Sequence, residues 1–344
     1  MSAPRFALLL LIAGCAHVPP LPSVAEQHRA KTSDGVEIAL VRYPAIGEVK
    51  GPQVLLCHGI YANARNMDLD DRISMARYFA AHGREALTMS MRGAGDSGSP
   101  AGPIFFDDYW QQDLPAAVEY VKRVSGAPSI EFVGHSMGGM MLYAYLAEGG
   151  QGISAAATLG SPTRFDFGSP LEDLVTGPVA PLLSPTFNLP TSAFSGLLAP
   201  FEDGSDTMLE RFFYNPKSTD PATFRELLTY GTSPMAGGVS VQLSRLFKGD
   251  FVSKDQKLDF RADMQRIDVP ILVVAGRLDR IGIVPAVKDG YRALGGPKEW
   301  LLITRANGTR GEYGHMDLVL GERAAEEVWS KVLDFFDRHA RKEP

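Results

Sequence analysis

The segment Gly134-His135-Ser136-Met137-Gly138 lies between two contrasting patterns. Ile130–Gly134 is an apolar run of strand length, and Met137–Glu148 carries Leu142, Ala144 and Leu146 in a helical segment. A serine at a sharp strand-to-helix turn is held out where substrate can reach it. That crowded turn demands small residues two positions before and two after. The helix beyond it directs its positive end toward developing negative charge. Ser136 is therefore the candidate nucleophile; the bland alternative is an ordinary serine in a glycine-rich turn.

A serine hydroxyl needs a base, and the base needs an orienting acid. The chain has 7 histidines. His17 precedes the folded region, His28 belongs to the first strand, and His58 and His135 flank glycines in turns. His82 ends a helix and His339 lies in a charged tail. His315 remains, in the polar loop NGTRGEYGHMD after the Trp300–Thr304 strand, and such a loop suits a reactive imidazole. The acid is expected at a strand end between the two. In VPILVVAGRLDRIGIV the strand Ile271–Ala275 turns at Gly276 and reaches Asp279. Asp279 could instead cap the next helix. Asp166, beyond the Ser154–Leu159 strand, is the rival acid, and Asp317 is set aside as too close to His315 in sequence. An oxyanion would be held by the backbone N–H of Met137 and by one from the loop after Val54–Cys57. His58-Gly59 turns sharply there and presents the N–H of Ile60, or of Tyr61 one residue on.

The elements that must position these groups follow a legible rhythm. A turn at Ser33-Asp34-Gly35 joins two short strands near Glu26–Lys31 and Val36–Tyr43. From Gln53 onward, apolar strand-length runs at Val54–Cys57, Glu85–Met91, Ile130–Gly134, Ser154–Leu159, Ile271–Ala275 and Trp300–Thr304 alternate with helical segments. Those helices are expected near Asp71–His82, Phe106–Ser125, Met137–Glu148, Ala286–Leu294 and Glu322–Arg338. Continuous apolar strands alternating with helices predict a mainly parallel sheet covered on both faces. The rhythm breaks between Pro162 and Arg266, which hold eleven of the 18 Phe and ten of the 24 Pro. A long irregular stretch inside a compact domain is usually functional, and residues 162–266 are expected to form a cap. The core would then comprise residues 26–161 and 267–344.

LLCHGI, MRGAGDSG, DLPAAVEYV, VGHSMGG, VAGRLDRI and GHMDLV together resemble the α/β-hydrolase superfamily, from Gln53 to His339. FFDDYWQQDLPAAVEYVKR is similar to acid-lipase-like and polyhydroxyalkanoate-synthase-like members. The resemblance implies an eight-stranded, mostly parallel sheet with a cap between strands six and seven. It also implies hydrolysis through a serine-bound acyl intermediate, and the order Ser136, Asp279, His315 agrees with it. The synthases use cysteine as nucleophile, so Ser136 favours hydrolysis.

Of 344 residues, 45% are hydrophobic and 22% charged, enough for a large core. A net charge of −6 gives no basic face for nucleic acid. No metal motif, no Walker spacing and no need for a cofactor is read. Asp68, Asp70 and Asp71 read as a solvated helix start. At the N-terminus, Arg5, the apolar Phe6–Ile12 and Ala13-Gly14-Cys15 have the form of a secretory signal of residues 1–15. IAGC resembles a bacterial lipobox, which would lipidate Cys15 and anchor the chain to a membrane in the cell envelope. A Pro-rich tether, residues 16–25, would follow. Cys57 would then have no disulfide partner and reads as a small buried hydrophobe. The expectation is an exported serine hydrolase cleaving a small-molecule or lipid ester with an apolar acyl group. An acyltransferase or depolymerase on the same residues is a second reading, and a catalytically silent tethered binding protein a third.

Overall fold

The structure, a computed structural model, describes residues 25–166 and 184–340. The expected signal with Cys15, nearly all of the tether, and residues 167–183 of the expected cap lie outside the described residues.

Eight strands form one sheet: β1 (Glu26–Lys31), β2 (Glu37–Tyr43), β3 (Val54–Cys57), β4 (Ala86–Met89), β5 (Ile130–His135), β6 (Ile153–Leu159), β7 (Ile271–Gly276) and β8 (Lys298–Ile303). Their order is β1-β2-β4-β3-β5-β6-β7-β8. β2 runs antiparallel to β1 and β4, and every other pairing is parallel. This is the mainly parallel sheet that the strand–helix rhythm predicts, with the eight strands that the resemblance implies.

β3, β4, β5 and β7 are buried at every position, as a sheet covered on both faces requires. The two-residue period of a strand divides its side chains between two cores. Leu55 and Cys57 enter one with helices Leu114–Ser125, Met137–Ala147 and Val284–Ala293. Val54 and Leu56 enter the other with helices Met75–Ala81 and Ser330–Ala340. Helix Met137–Ala147 is buried at every residue. It therefore carries apolar side chains all round rather than along one stripe.

Three elements differ from expectation. The helix expected over Glu322–Arg338 is π-helical at Ala325–Trp329 before the regular helix Ser330–Ala340. The helix expected over Phe106–Ser125 is interrupted by a π-helical turn at Tyr109–Asp113. Pro115 has no N–H for the carbonyl of Gln111, so the regular ladder cannot run through this point. The widened turn sets Asp113 against buried Arg92, with Nε–Oδ1 at 2.6 Å. The acidic Asp68–Asp71 cluster is not a solvated helix start. The helix begins at Met75 behind the cap Ser74, and Asp68 is buried, bonded to Tyr43 and, at 3.0 Å, to Arg77.

Between β6 and β7 the chain leaves the sheet. Helices Thr191–Leu198, Met208–Phe213, Pro221–Tyr230 and Gly237–Leu243 lie there. Each is short, and two have local start signals. Thr207 and Glu210 cap the second reciprocally, and Asp220 with Pro221 starts the third.

Candidate active site

β5 ends at His135 and the next helix starts at Met137, which leaves Ser136 alone to turn the chain. Its φ of 53° and ψ of −119° lie where a side chain is strained, at a typical cost of about 1–3 kcal/mol. The strain is held from both sides: Ser136 N–H donates to Leu159 O at 2.8 Å, and Gly139 N–H donates to Ser136 O at 3.0 Å. The turn needs a glycine at 138 because a Cβ there would lie 2.6 Å from His58 O and 2.7 Å from Cys57 O. The helix thus presses against the end of β3.

Asp279 follows β7. Its Oδ1 accepts from the N–H groups of Ile281 (2.9 Å) and Gly282 (2.7 Å), and its Oδ2 lies 2.8 Å from His315 Nδ1. A carboxylate accepts, so Nδ1 carries the proton, and Nε2 of a neutral ring keeps a lone pair that can take another. Gly160, at φ 59°, closes this contact from the end of β6. A Cβ there would lie 2.9 Å from Asp279 Oδ2 and 3.2 Å from His315 Nδ1. The rival acid Asp166 pairs with Arg164 at 3.2 Å instead.

His135 is bonded to the loop that carries His315. Its Nε2 lies 3.2 Å from His315 O, a carbonyl, so Nε2 is the donor. Burial holds its pKa well below the ordinary imidazole range, with the neighbouring His315 adding to the effect. A neutral ring donating from Nε2 must accept at Nδ1, 3.2 Å from the Asn66 amide oxygen position. Asn66 therefore turns its NH2 toward the ring, which also gives a partner to the buried Nδ2 that otherwise lacks one. His58 is neutral as well, pushed down to about 4 by burial. Its Nε2 accepts from Met91 N–H at 3.1 Å, so it fastens β3 to the loop after β4.

Ser136 and His315 line one cavity of about 500 Å³. Its walls come mainly from the segment after β6 and are apolar: Phe194, Leu198, Phe213, Phe224, Leu243 and Phe247 among them. Ile60 and Tyr61 also face it. A Cβ on Gly59 would lie 3.5 Å from Ser136 Oγ, so the His58-Gly59 turn packs against the serine. Met137 N–H, first in its helix, has no intrahelical acceptor. The turn in MRGAGDSG borders a smaller cavity of about 160 Å³, lined also by Gly59–Ala62 and Met137.

Asp317 was set aside for its closeness to His315, and its place in the structure was not legible. Its carboxylate is buried and accepts from Gly314 N–H, Asn215 N–H and Thr219 Oγ1, at 2.5, 2.9 and 2.5 Å. Two of these donors lie about a hundred residues away in sequence, so no local pattern announces them.

The family model described as alpha/beta hydrolase fold matches residues 52–317. Lipase 1 of Drosophila melanogaster is 29% identical over 124 residues, which cover 33% of this chain and 28% of that protein. Triacylglycerol lipase 1 of Arabidopsis thaliana is 31% identical over 134 residues, covering 36% and 34%. The chain thus spans about a third of the length of these curated relatives. Among solved structures, a thermophilic esterase from Thermogutta terrifontis has a similar fold, with a TM-score of 0.64, 16% identity, and 92% and 99% of the two chains covered. The enol-lactonase from Burkholderia xenovorans superposes with a TM-score of 0.56 at 17% identity, over 90% and 99%. With the sheet, the serine turn and a family match over most of its length, this chain belongs to the α/β-hydrolase fold family.

Proposed function

We propose that the protein hydrolyses carboxylic esters with an apolar acyl group, using Ser136 as nucleophile, His315 as base and Asp279 as the acid that orients it. His315 Nε2 takes the proton of Ser136 Oγ as the oxygen attacks the ester carbonyl. The N–H groups of Met137 and Ile60 hold the oxyanion, each such donor being worth about 3–4 kcal/mol to the transition state. His315 then returns the proton to the departing alcohol, and water, activated by the same ring, releases the acid from Ser136.

The observation that carries this reading is the cavity that Ser136 and His315 share with so many phenyl and leucyl side chains. Burying one such side chain or acyl segment from water gains about 1.5–3 kcal/mol. The fly and plant relatives are named as lipases, in keeping with an apolar acyl group. A fluorophosphonate probe and p-nitrophenyl esters of graded length test the reading. Expected are covalent labelling at Ser136, loss of turnover of at least about a thousandfold in Ser136→Ala, and a preference for octanoate over acetate. Folded protein that resists the probe would overturn the assignment of Ser136, and a preference for acetate would overturn the apolar acyl group.

The same reading includes location. The signal-like N-terminus and Cys15 support export and lipid anchoring at the cell envelope. Fractionation tests this: the intact chain should follow the membranes and Cys15→Ala should not.

A further inference from the structure

The loop that carries His315 is fastened on three sides. From the acid loop, Leu278 N–H donates to Tyr313 O at 2.8 Å. From the serine turn, His135 Nε2 donates to His315 O. The third side is the segment Phe213–Thr219 of the excursion between β6 and β7. Met316 N–H donates to Phe213 O at 2.9 Å. Asn215 Nδ2 and Ser218 Oγ each donate to Glu312 O at 2.7 Å. At the centre, the Asp317 carboxylate draws Gly314 N–H, Asn215 N–H and Thr219 Oγ1 together. Phe213, at one end of this segment, is also a wall of the cavity. The imidazole and the acyl wall therefore share one hydrogen-bonded mount.

We propose that Asp317 is a positioning residue for His315: by joining the histidine loop to Asn215 and Thr219, it makes the cap part of the mount that aims the imidazole at Ser136. This rests on the assignment of Ser136, His315 and Asp279 given above. Asp317 is not itself a lining residue of the cavity, so its effect runs through the backbone at Gly314. A loop displaced by a fraction of an ångström leaves substrate binding intact and slows proton transfer.

The test is steady-state kinetics on a soluble short-chain ester, below the melting temperature of each variant, with active sites counted by fluorophosphonate. Asp317→Ala removes both acceptor oxygens and with them three hydrogen bonds, and should lower kcat by about 10–100-fold with KM within about twofold, the scale of small misplacements at a reacting centre. Asp317→Asn can keep both N–H bonds through its carbonyl while Thr219 reverses to accept from its NH2, so it should restore most of kcat. Thr219→Val deletes one donor at a site that does not line the cavity, and should lower kcat by about three- to tenfold on the same grounds. It keeps the proposal testable should Asp317→Ala not fold. Glu131→Gln, which alters an equally buried carboxylate paired with Arg84, should lower the melting temperature and leave kcat unchanged. Melting losses with wild-type kcat in Thr219→Val and Asp317→Ala would overturn the positioning role. Wild-type turnover in Ser136→Ala would instead overturn the site assignment itself.

Discussion

Asp279 and Asp166 differ in what each can give an imidazole. Asp279 is fixed by two backbone N–H groups and turned toward His315 Nδ1. Asp166 is half exposed and spends its carboxylate on Arg164. Asp279→Asn should therefore cost about 10³–10⁴-fold in kcat, because an amide facing Nδ1 favours the wrong tautomer. Asp166→Asn removes a surface ion pair worth about 0–1 kcal/mol and should leave kcat within about twofold. Equal losses in the two variants would contradict the assignment. At this scale the sequence was informative where chemistry imposes local pattern. Ser136 has a small residue on each side at the right distance, and His315 stands in a polar loop after the last strand. Asp317, His135 and Asn66 were silent because their partners come from distant parts of the chain.

The elements show the same division. Strands buried on both faces announce themselves as apolar runs, and β3 begins and ends where that run does. Helices next to the sheet were legible as segments but not at their interruptions, since the π turn at Tyr109–Asp113 depends on Pro115 and on the fit of Asp113 to Arg92. The excursion between β6 and β7 was legible only as a loss of rhythm and an excess of Phe. Its helices are 4 to 10 residues long, below the length at which an isolated helix holds itself, so packing and caps decide them. The serine turn yields the prediction proper to this scale. Gly138→Ala places a methyl carbon 2.6 Å from a backbone carbonyl, and neither the helix nor β3 can yield easily. It should destabilise the fold by about 3 kcal/mol or more, read as a shifted denaturant midpoint. A midpoint like that of the wild type would mean that the helix can retreat from β3.

For the whole molecule, solubility turns on the exposed apolar surface of the excursion between β6 and β7. Phe194, Leu197, Leu198 and Phe201 recur at helical spacing and are 59%, 51%, 50% and 78% exposed. Phe194 and Leu198 also line the cavity, while Leu197 and Phe201 face water, a pattern that promotes association. Leu197→Gln with Phe201→Gln, at positions outside the cavity lining, should raise solubility by light scattering and leave kcat/KM on a soluble ester within about twofold, since exposed sites away from a reacting centre seldom matter more. Unchanged scattering would show that the stripe is covered in solution.

Stability depends on pH through the buried carboxylates, and Asp317 is the clearest case. Burial pushes it up to about 7, neighbouring Asp279 adds to the rise, and its three hydrogen-bond donors oppose it without reversing it. The folded chain then holds this proton up to about pH 7, whereas the unfolded chain releases it near the ordinary value of 3.8. Between these values the folded state binds more protons, so stability falls as pH rises. The contribution is whole below about pH 4 and lost above about 7. Asp317→Asn cannot titrate and lacks this slope. Its melting temperature relative to the wild type should therefore rise from pH 5 to about pH 7 and level off above it, whatever fixed cost the amide carries. Melting curves of the two proteins at matched ionic strength measure this directly. A difference that stays constant across the range would mean that Asp317 is already ionised at pH 5, and that its three donors outweigh the cost of burying the charge.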